Sequence, residues 1–208
     1  AVETRADRRA RVAVARLADT DAAVAAIVEA AERGGAVAWI RNAVDDVAEA
    51  AALLELRGLE PIVFHARFAM VDRQAIEAEV TRVFGKTSSP DIRRGRVIVA
   101  SQVVEQSLDL DFDAMVTDLA PIDLVIQRAG RLMRHSRTPE GSRTEGLDGR
   151  GEPILGVAMP DPVDDAPPAW YATRFPRGAH VYEHHGQLWL SARWLRRKGG
   201  FTVPDDSR

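Results

Sequence analysis

The chain has 208 residues, of which 46% are hydrophobic and 28% are charged, and its formal net charge is −3. This composition suits one large domain with a sizeable core, or one domain with an appendage. The acidic balance excludes a polycation, so any contact with nucleic acid must come from a local basic surface. The absence of cysteine excludes disulfides, thiolate metal sites and a cysteine nucleophile.

No apolar run reaches the roughly 18 residues that a membrane span requires. The N-terminus, AVETRADRRA, is charged and lacks the apolar stretch of a secretory signal. We therefore expect no membrane contact and a cytoplasmic location. The first residue is Ala and not Met, so the chain could be an excised fragment of a longer protein.

Strand and helix patterns alternate along the first 135 residues. Residues 12–17 alternate in polarity and predict a strand, and Asp19 is a suitable N-cap for a helix that ends at Gly34. The next predicted elements are a strand at 36–40, a helix at about 45–57, a strand at 61–65, a helix at 68–84, a polar loop at 85–95, and strands at 96–101 and 114–118. A helix from 121 to about 133 and a weaker strand at 154–159 follow.

This alternation predicts an α/β domain with a mainly parallel sheet flanked by helices. We assign residues 1–159 to this domain. Residues 160–208 are predicted to be an irregular C-terminal extension, or the start of a linker to an accessory domain, with no long element after 170. Residues 136–152 are polar and glycine-rich and predict a mobile loop.

Two apparent motifs are rejected. Gly85-Lys86-Thr87 resembles the end of a phosphate loop, but the earlier glycine is replaced by Val80 and the segment follows a helix. His184-His185 has no supporting carboxylate or histidine at a helical spacing. We expect a solvated loop there, and no metal site.

Ligands of parallel sheets bind beyond the carboxyl ends of the strands. His65 and Arg67 follow a predicted strand and suit a phosphate backbone, with an ordinary loop histidine as the alternative. Ser101 and Asp109 border a polar turn between two buried strands. Asp109 could accept hydrogen bonds from a ribose, and a plain turn is the alternative.

Gln127, Arg131 and Arg134 are spaced four and three residues apart, so one helical surface can carry all three side chains. Arginine can stabilise the charge on a transferring phosphoryl group, and glutamine can position a phosphate or a water molecule. A solvated basic helix face is the alternative. The neighbouring apolar residues 124–126 imply partial burial, which makes simple solvation a weaker explanation.

Residues 97–135, VIVASQVVEQSLDLDFDAMVTDLAPIDLVIQRAGRLMRH, resemble motifs V and VI of superfamily 2 helicases. More narrowly, they resemble the CRISPR-associated helicase–nuclease of type I systems. Upstream, Asn42 and the run FHARF are similar to further blocks of that family. The resemblance covers residues 36–135 strongly and residues 136–208 loosely.

The resemblance implies the second RecA-like domain of an ATP-dependent 3′–5′ translocase on single-stranded DNA, acting in type I CRISPR interference. It implies that Arg131 and Arg134 reach the ATP phosphates with support from Gln127, and that Asp109 and Gly130 belong to the cofactor site. The implied nucleic-acid contacts are Ser101, Gln102, His65, Arg67 and Asn42. ATP with Mg²⁺ would be held mainly by the first RecA-like domain.

The implied partners are single-stranded DNA, the CRISPR RNA-guided surveillance complex, and the first RecA-like and HD nuclease domains of the same protein. The chain has no phosphate loop, no Asp-Glu pair for magnesium and no His-Asp nuclease motif. We therefore expect the full-length protein to be the helicase and the chain alone to be inactive. The alternatives are another superfamily 2 helicase and a non-catalytic RecA-like partner module.

Overall fold

The structure is a computed structural model that describes residues 10–105 and 108–203. In these residues one sheet contains β1 (Ala10–Leu17), β2 (Val37–Ile40), β3 (Ile62–Phe64), β4 (Val97–Ala100), β5 (Ala114–Asp118), β6 (Ile154–Ala158) and β7 (Gly200–Val203). The helices are α1 (Thr20–Glu32), α2 (Val44–Glu55), α3 (Met70–Phe84), α4 (Pro90–Arg93), α5 (Ile122–Ala129) and α6 (His185–Lys198).

The strand order is β3-β4-β2-β5-β6-β1-β7. Neighbouring strands are parallel except for β7, which runs antiparallel to β1. The central strands β2 and β4, VAWI and VIVA, are buried at every residue, as expected for a parallel sheet covered on both faces. The predicted α/β fold class with a mainly parallel sheet is confirmed.

Side chains of β2 alternate between two cores, one on each face of the sheet. Val37 and Trp39 pack with α1 and α2 on one face. Ala38 and Ile40 contribute to the larger core on the other face, together with residues of α3, α5 and α6. All the parallel strands therefore end at the same edge of a rigid, doubly covered sheet, and the loops at that edge are held in place by both cores.

Most predicted elements are confirmed, with boundaries shifted by one or two residues. Asp19 caps α1 as predicted, since its carboxylate accepts a hydrogen bond from the Ala22 amide at 2.9 Å. The predicted polar loop at residues 85–95 contains the single-turn helix α4, whose Arg93 is buried. Gly85 is the C-cap of α3. This agrees with the expectation that the Gly85-Lys86-Thr87 segment follows a helix, on which the rejection of a phosphate loop was based.

The prediction of no long element after residue 170 is wrong. Helix α6 buries Leu188, Ala192 and Leu195 in the larger core and ends at Gly199, which has a φ of 61°. The next residue, Gly200, lies so close to β1 that an added Cβ would sit 2.5 Å from the carbonyl oxygen of Val12. Aromatic residues with irregular spacing gave no helical period, and this hid the helix.

The assignment of 1–159 and 160–208 to separate units stays a prediction, although residues on both sides of that boundary share one sheet and one core. The expected solvated loop at His184-His185 is wrong in part, because His185 begins α6 and its ring contacts the carbonyl oxygen of Ala179 at 3.1 Å.

None of the helices in the described residues combines the length and the apolar character that a membrane span needs.

Candidate nucleotide and nucleic-acid site

Helix α5 ends at Ala129, four residues earlier than predicted. Beyond it the backbone runs beside Phe112, whose amide donates to the Arg131 carbonyl at 3.0 Å and whose carbonyl accepts from the Met133 amide at 2.8 Å. These two bonds replace helical ones, and Met133 takes a φ of 48°. The prediction of one helical surface for Gln127, Arg131 and Arg134 is therefore wrong: only Gln127 lies on the helix.

Arg131 is buried, with 7% of its surface exposed. Its guanidinium donates to the carbonyl oxygens of Gln127, at 3.2 Å, and of Glu105, while its Nε has no hydrogen-bond partner. Burial lowers its pKa, and the neighbouring Arg134 lowers it further. A buried guanidinium with an unsatisfied nitrogen is a costly arrangement that an anion would relieve.

The other buried arginines are Arg41, Arg93, Arg128 and Arg137. Each of these four forms an ion pair with a carboxylate. Among the described residues, Arg131 is thus the one buried arginine without an ion pair.

Asp109, Arg134 and His135 form what we call the outer cluster. Oδ1 of Asp109 lies 2.7 Å from Nε of Arg134 and 3.0 Å from Nε2 of His135. About half of the Asp109 and Arg134 side chains is exposed, whereas the His135 side chain is 16% exposed. The structure therefore brings together the predicted ribose acceptor and one of the predicted phosphate contacts.

A second set of charges, the inner cluster, lies just beneath. It contains Arg93, Asp111, Asp113, Arg137 and Arg150. Asp111 is fully buried and contacts all three arginines, and it also accepts a hydrogen bond from the His135 amide at 3.2 Å. Arg137 and Arg150 come from the two ends of the predicted mobile loop, which is therefore anchored at both ends.

A third network surrounds Arg128, which is fully buried on α5. Its guanidinium donates to Glu105 at 2.7 Å, to Thr117 at 2.8 Å and to the Tyr182 hydroxyl at 3.4 Å. Gln102 also donates to that hydroxyl, at 3.3 Å. The C-terminal region thus connects the segment after β4 with the helix that leads to Arg131.

Asn42 requires a correction. Its side chain is buried and donates to the Leu119 carbonyl at 2.7 Å and to the Tyr171 hydroxyl at 3.2 Å, and it accepts from Arg128 at 3.2 Å. These bonds use the amide side chain inside the protein, so it cannot meet nucleic acid in this conformation. The residue holds the C-terminal region against the sheet.

The remaining predicted nucleic-acid residues lie at the carboxyl ends of β3 and β4. His65 stacks on Phe68 with ring centroids 4.2 Å apart, and Arg67 pairs with Asp45 at 2.5 Å on the surface. Burial of the imidazole lowers the pKa of His65. Ser101 is buried and Gln102 is half-buried, so a direct contact at these positions stays a prediction.

Sequence reasoning missed Asp111, Arg137 and Arg150. A signal for Asp111 exists in residues 109–113, Asp-Leu-Asp-Phe-Asp, whose strict alternation is typical of an extended segment with one apolar and one polar face. Leu110 and Phe112 are indeed fully buried. No comparable signal marks the two arginines, because they lie in an irregular glycine-rich loop.

The mainly parallel sheet flanked by helices has the fold of a RecA-like domain. Residues 33–137, just over half of the chain, match the family described as CRISPR-associated nuclease/helicase Cas3, C-terminal. The chain belongs to this family.

The relatives are similar along nearly the whole chain. The CRISPR-associated endonuclease/helicase Cas3 of Escherichia coli is 35% identical over 88% of this chain and 19% of its own length. The crystal structure of T. fusca Cas3-ATP matches with 30% identity and a TM-score of 0.78, over 99% of this chain and 23% of that chain. A chain in a structure described as CRISPR RNA-guided surveillance complex, pre-nicking, matches with 30% identity and a TM-score of 0.76, over 95% of this chain and 24% of that one. The chain spans about a fifth to a quarter of these relatives.

Proposed function

We propose that this chain is the second motor lobe of an ATP-dependent 3′–5′ helicase that translocates on single-stranded DNA during type I CRISPR interference. Arg131 and Arg134 meet the phosphates of an ATP molecule held, with its Mg²⁺, mainly by the first RecA-like lobe. Asp109 meets the ribose. Membership of the Cas3 C-terminal family supports this proposal, as does the similarity to a protein described with bound ATP.

The observation that carries the proposal is the missing counterion of Arg131. The other four buried arginines have carboxylate partners within the domain, whereas Arg131 forms no ion pair with any described residue. Its Nε also has no hydrogen-bond partner there, as is true of the Arg93 Nε. An ATP phosphate presented from another lobe would supply the missing negative charge. Gln127 is exposed at the same helix end, where it can support a phosphate. Gly130, the C-cap of that helix, belongs to the proposed cofactor site.

On the nucleic-acid side, we propose that His65, Arg67, Ser101 and Gln102 line the path of the DNA strand. Their positions at the ends of adjacent strands β3 and β4 support one continuous surface. Such contacts go mainly to phosphates, so binding would be tolerant of sequence and strongly weakened by salt. The proposed partners are the first RecA-like and HD nuclease domains of the same protein and the surveillance complex, with the motor at work in the cytoplasm.

The test is Arg131→Ala in the full-length protein, assayed by hydrolysis of ATP with and without single-stranded DNA. An arginine that stabilises a transferring phosphoryl group is worth about a thousandfold or more in kcat, so we expect a loss of that size. Arg143→Ala is the matched control, because Arg143 is exposed in the 136–152 loop and carries the same charge. Its kcat should equal that of the wild type.

Equal hydrolysis by the Arg131 variant and the control would refute the proposed role of Arg131. The isolated chain gives a second test. Because the proposal places ATP mainly on the first RecA-like lobe, we expect no useful ATP turnover by the isolated chain. DNA-stimulated turnover by the chain alone, at a rate near that of an intact helicase, would contradict the assignment as a partner lobe.

A further inference from the structure

The outer cluster contains a residue with no assigned role, His135. We infer that His135 is a positioning residue that holds Asp109 ready for a ribose hydroxyl while Arg134 turns to the ATP phosphates. This inference rests on the proposed function of the same site. It gives His135, which is not one of the two proposed phosphate-binding arginines, a role in distinguishing nucleotides by their ribose hydroxyls.

The geometry at Asp109 divides its two oxygens between two tasks. Arg134, at 2.7 Å, and His135, at 3.0 Å, both contact Oδ1. Oδ2 accepts no hydrogen bond from any described residue. Among the described residues, one oxygen is therefore held by the protein, and the other can accept a hydrogen bond from a ligand hydroxyl.

The two partners of Oδ1 differ in how firmly they are held. The backbone of His135 is fixed on both sides, because its amide donates to Asp111 at 3.2 Å and its carbonyl accepts from Arg150 at 2.7 Å. Asp111 and Arg150 belong to the inner cluster and are themselves buried or nearly so. The His135 ring is therefore carried by a rigid support.

Arg134 has no such support. Its side chain is 45% exposed, and Asp109 is its one ion-pair partner among the described residues. A triphosphate carries more negative charge than one carboxylate and would compete successfully for this guanidinium. When Arg134 leaves, His135 is the donor that remains on Oδ1 and keeps the half-exposed Asp109 from rotating freely in water.

The protonation state of His135 suits this role. Burial lowers its pKa, although the nearby Asp109 and Asp111 oppose that shift. In its Nε2–H tautomer the neutral ring donates a hydrogen bond to Asp109.

The test compares ATP with 2′,3′-dideoxyATP as substrates of the full-length protein, measured as DNA-stimulated hydrolysis. His135→Ala should raise KM for ATP about five- to tenfold, the usual value of one well-placed hydrogen bond. KM for the dideoxynucleotide should change less than about twofold, because it lacks the hydroxyls that Asp109 would meet. His135→Gln, whose amide can donate to the same oxygen, should restore most of the discrimination.

Asp109→Ala provides the matched control. It should abolish discrimination between the two nucleotides, and adding His135→Ala to it should change nothing further. Equal effects of His135→Ala on both nucleotides would show a merely structural role and overturn the inference. Failure of the wild-type protein to distinguish the nucleotides would overturn it as well.

The outcome of Arg131→Ala separates this inference from the proposed function. If that variant keeps full ATP hydrolysis, the motor assignment fails. If it loses hydrolysis while His135→Ala leaves discrimination unchanged, only the positioning role of His135 fails.

Discussion

Asp109 and Asp111 are two residues apart in one extended segment, yet they sit in opposite environments. Asp111 is fully buried and contacts three arginines of the inner cluster. The Asp109 side chain is 51% exposed and, among the described residues, forms ion pairs only with Arg134 and His135 of the outer cluster. The same side chain thus builds a scaffold at one position and an exchangeable contact at the other.

The difference shows how a domain can present a charge that exchanges partners without losing its fold. A buried charge pair is hard to break, because removing one partner leaves the other uncompensated in a low dielectric. An exposed pair contributes little stability and can exchange partners cheaply. His135 joins the two clusters, since its backbone is bound to Asp111 and its ring to Asp109.

The largest effect should follow from Asp111→Ala. This change removes the carboxylate that Arg93, Arg137 and Arg150 share, and leaves part of their buried positive charge without a partner. Removing one partner of a buried charge pair costs about 3–5 kcal/mol. We expect a loss of that size in the free energy of unfolding, measured by urea denaturation of the 208-residue chain. The folded yield should fall in parallel.

Asp109→Ala is the control for this experiment. It removes the same carboxylate two residues away, and an exposed pair is worth about 0–1 kcal/mol. Similar destabilisation by the two variants would contradict the division into scaffold and exchangeable contact.

The alternation of residues 109–113 shows what the sequence could have predicted and did not. An extended segment with Leu110 and Phe112 inward was readable from a period of two. The burial of Asp111 could not be predicted in this way, because its three arginine partners come from α4 and from both ends of an irregular loop. Local patterns carry no information about which distant side chains will meet.

The fold itself was largely predictable, since short apolar runs between turn residues, such as VAWI and VIVA, are typical of buried strands. Among the site residues, the position of Arg131 beyond α5 was not predictable. Its spacing from Gln127 fits a helix, but the helix ends at Ala129 with Gly130 as its C-cap, and the chain beyond pairs with Phe112. Tertiary contact overrode local preference there, as it did for the aromatic C-terminal region.

An intermediate effect should follow from Arg137→Lys. The Arg137 guanidinium donates to the Asp111 carboxylate. It also donates to the carbonyl oxygens of Ser88, Gly141 and Gly85, at 2.9–3.1 Å. A lysine ammonium is a single point and cannot reproduce this planar set of bonds. We expect a loss of about 2–3 kcal/mol in the free energy of unfolding by urea denaturation.

Arg134→Lys is the paired substitution at the outer cluster. It should change the free energy of unfolding by less than about 0.5 kcal/mol, because that arginine is exposed. Its effect should instead be on ATP hydrolysis by the full-length protein. A stability loss equal to that of Arg137→Lys would refute the contrast between the clusters.

The smallest effect concerns pH and the residue shared by both clusters. Burial lowers the pKa of folded His135 below its ordinary value of 6.5, so the unfolded chain takes up the proton first as pH falls. Stability due to this residue is therefore complete above about pH 6.5 and is lost as pH falls towards the folded pKa, below which the loss levels off. His135→Gln, with no titrating group, should lose less stability than the wild type between about pH 7.5 and about pH 5.5, measured by urea midpoints.

His65, whose pKa burial also lowers, contributes with the same sign and should leave a residual slope in that variant. A variant slope as steep as that of the wild type would show that His135 can be protonated in place, and hence that Asp111 and Arg150 do not hold it in a buried setting.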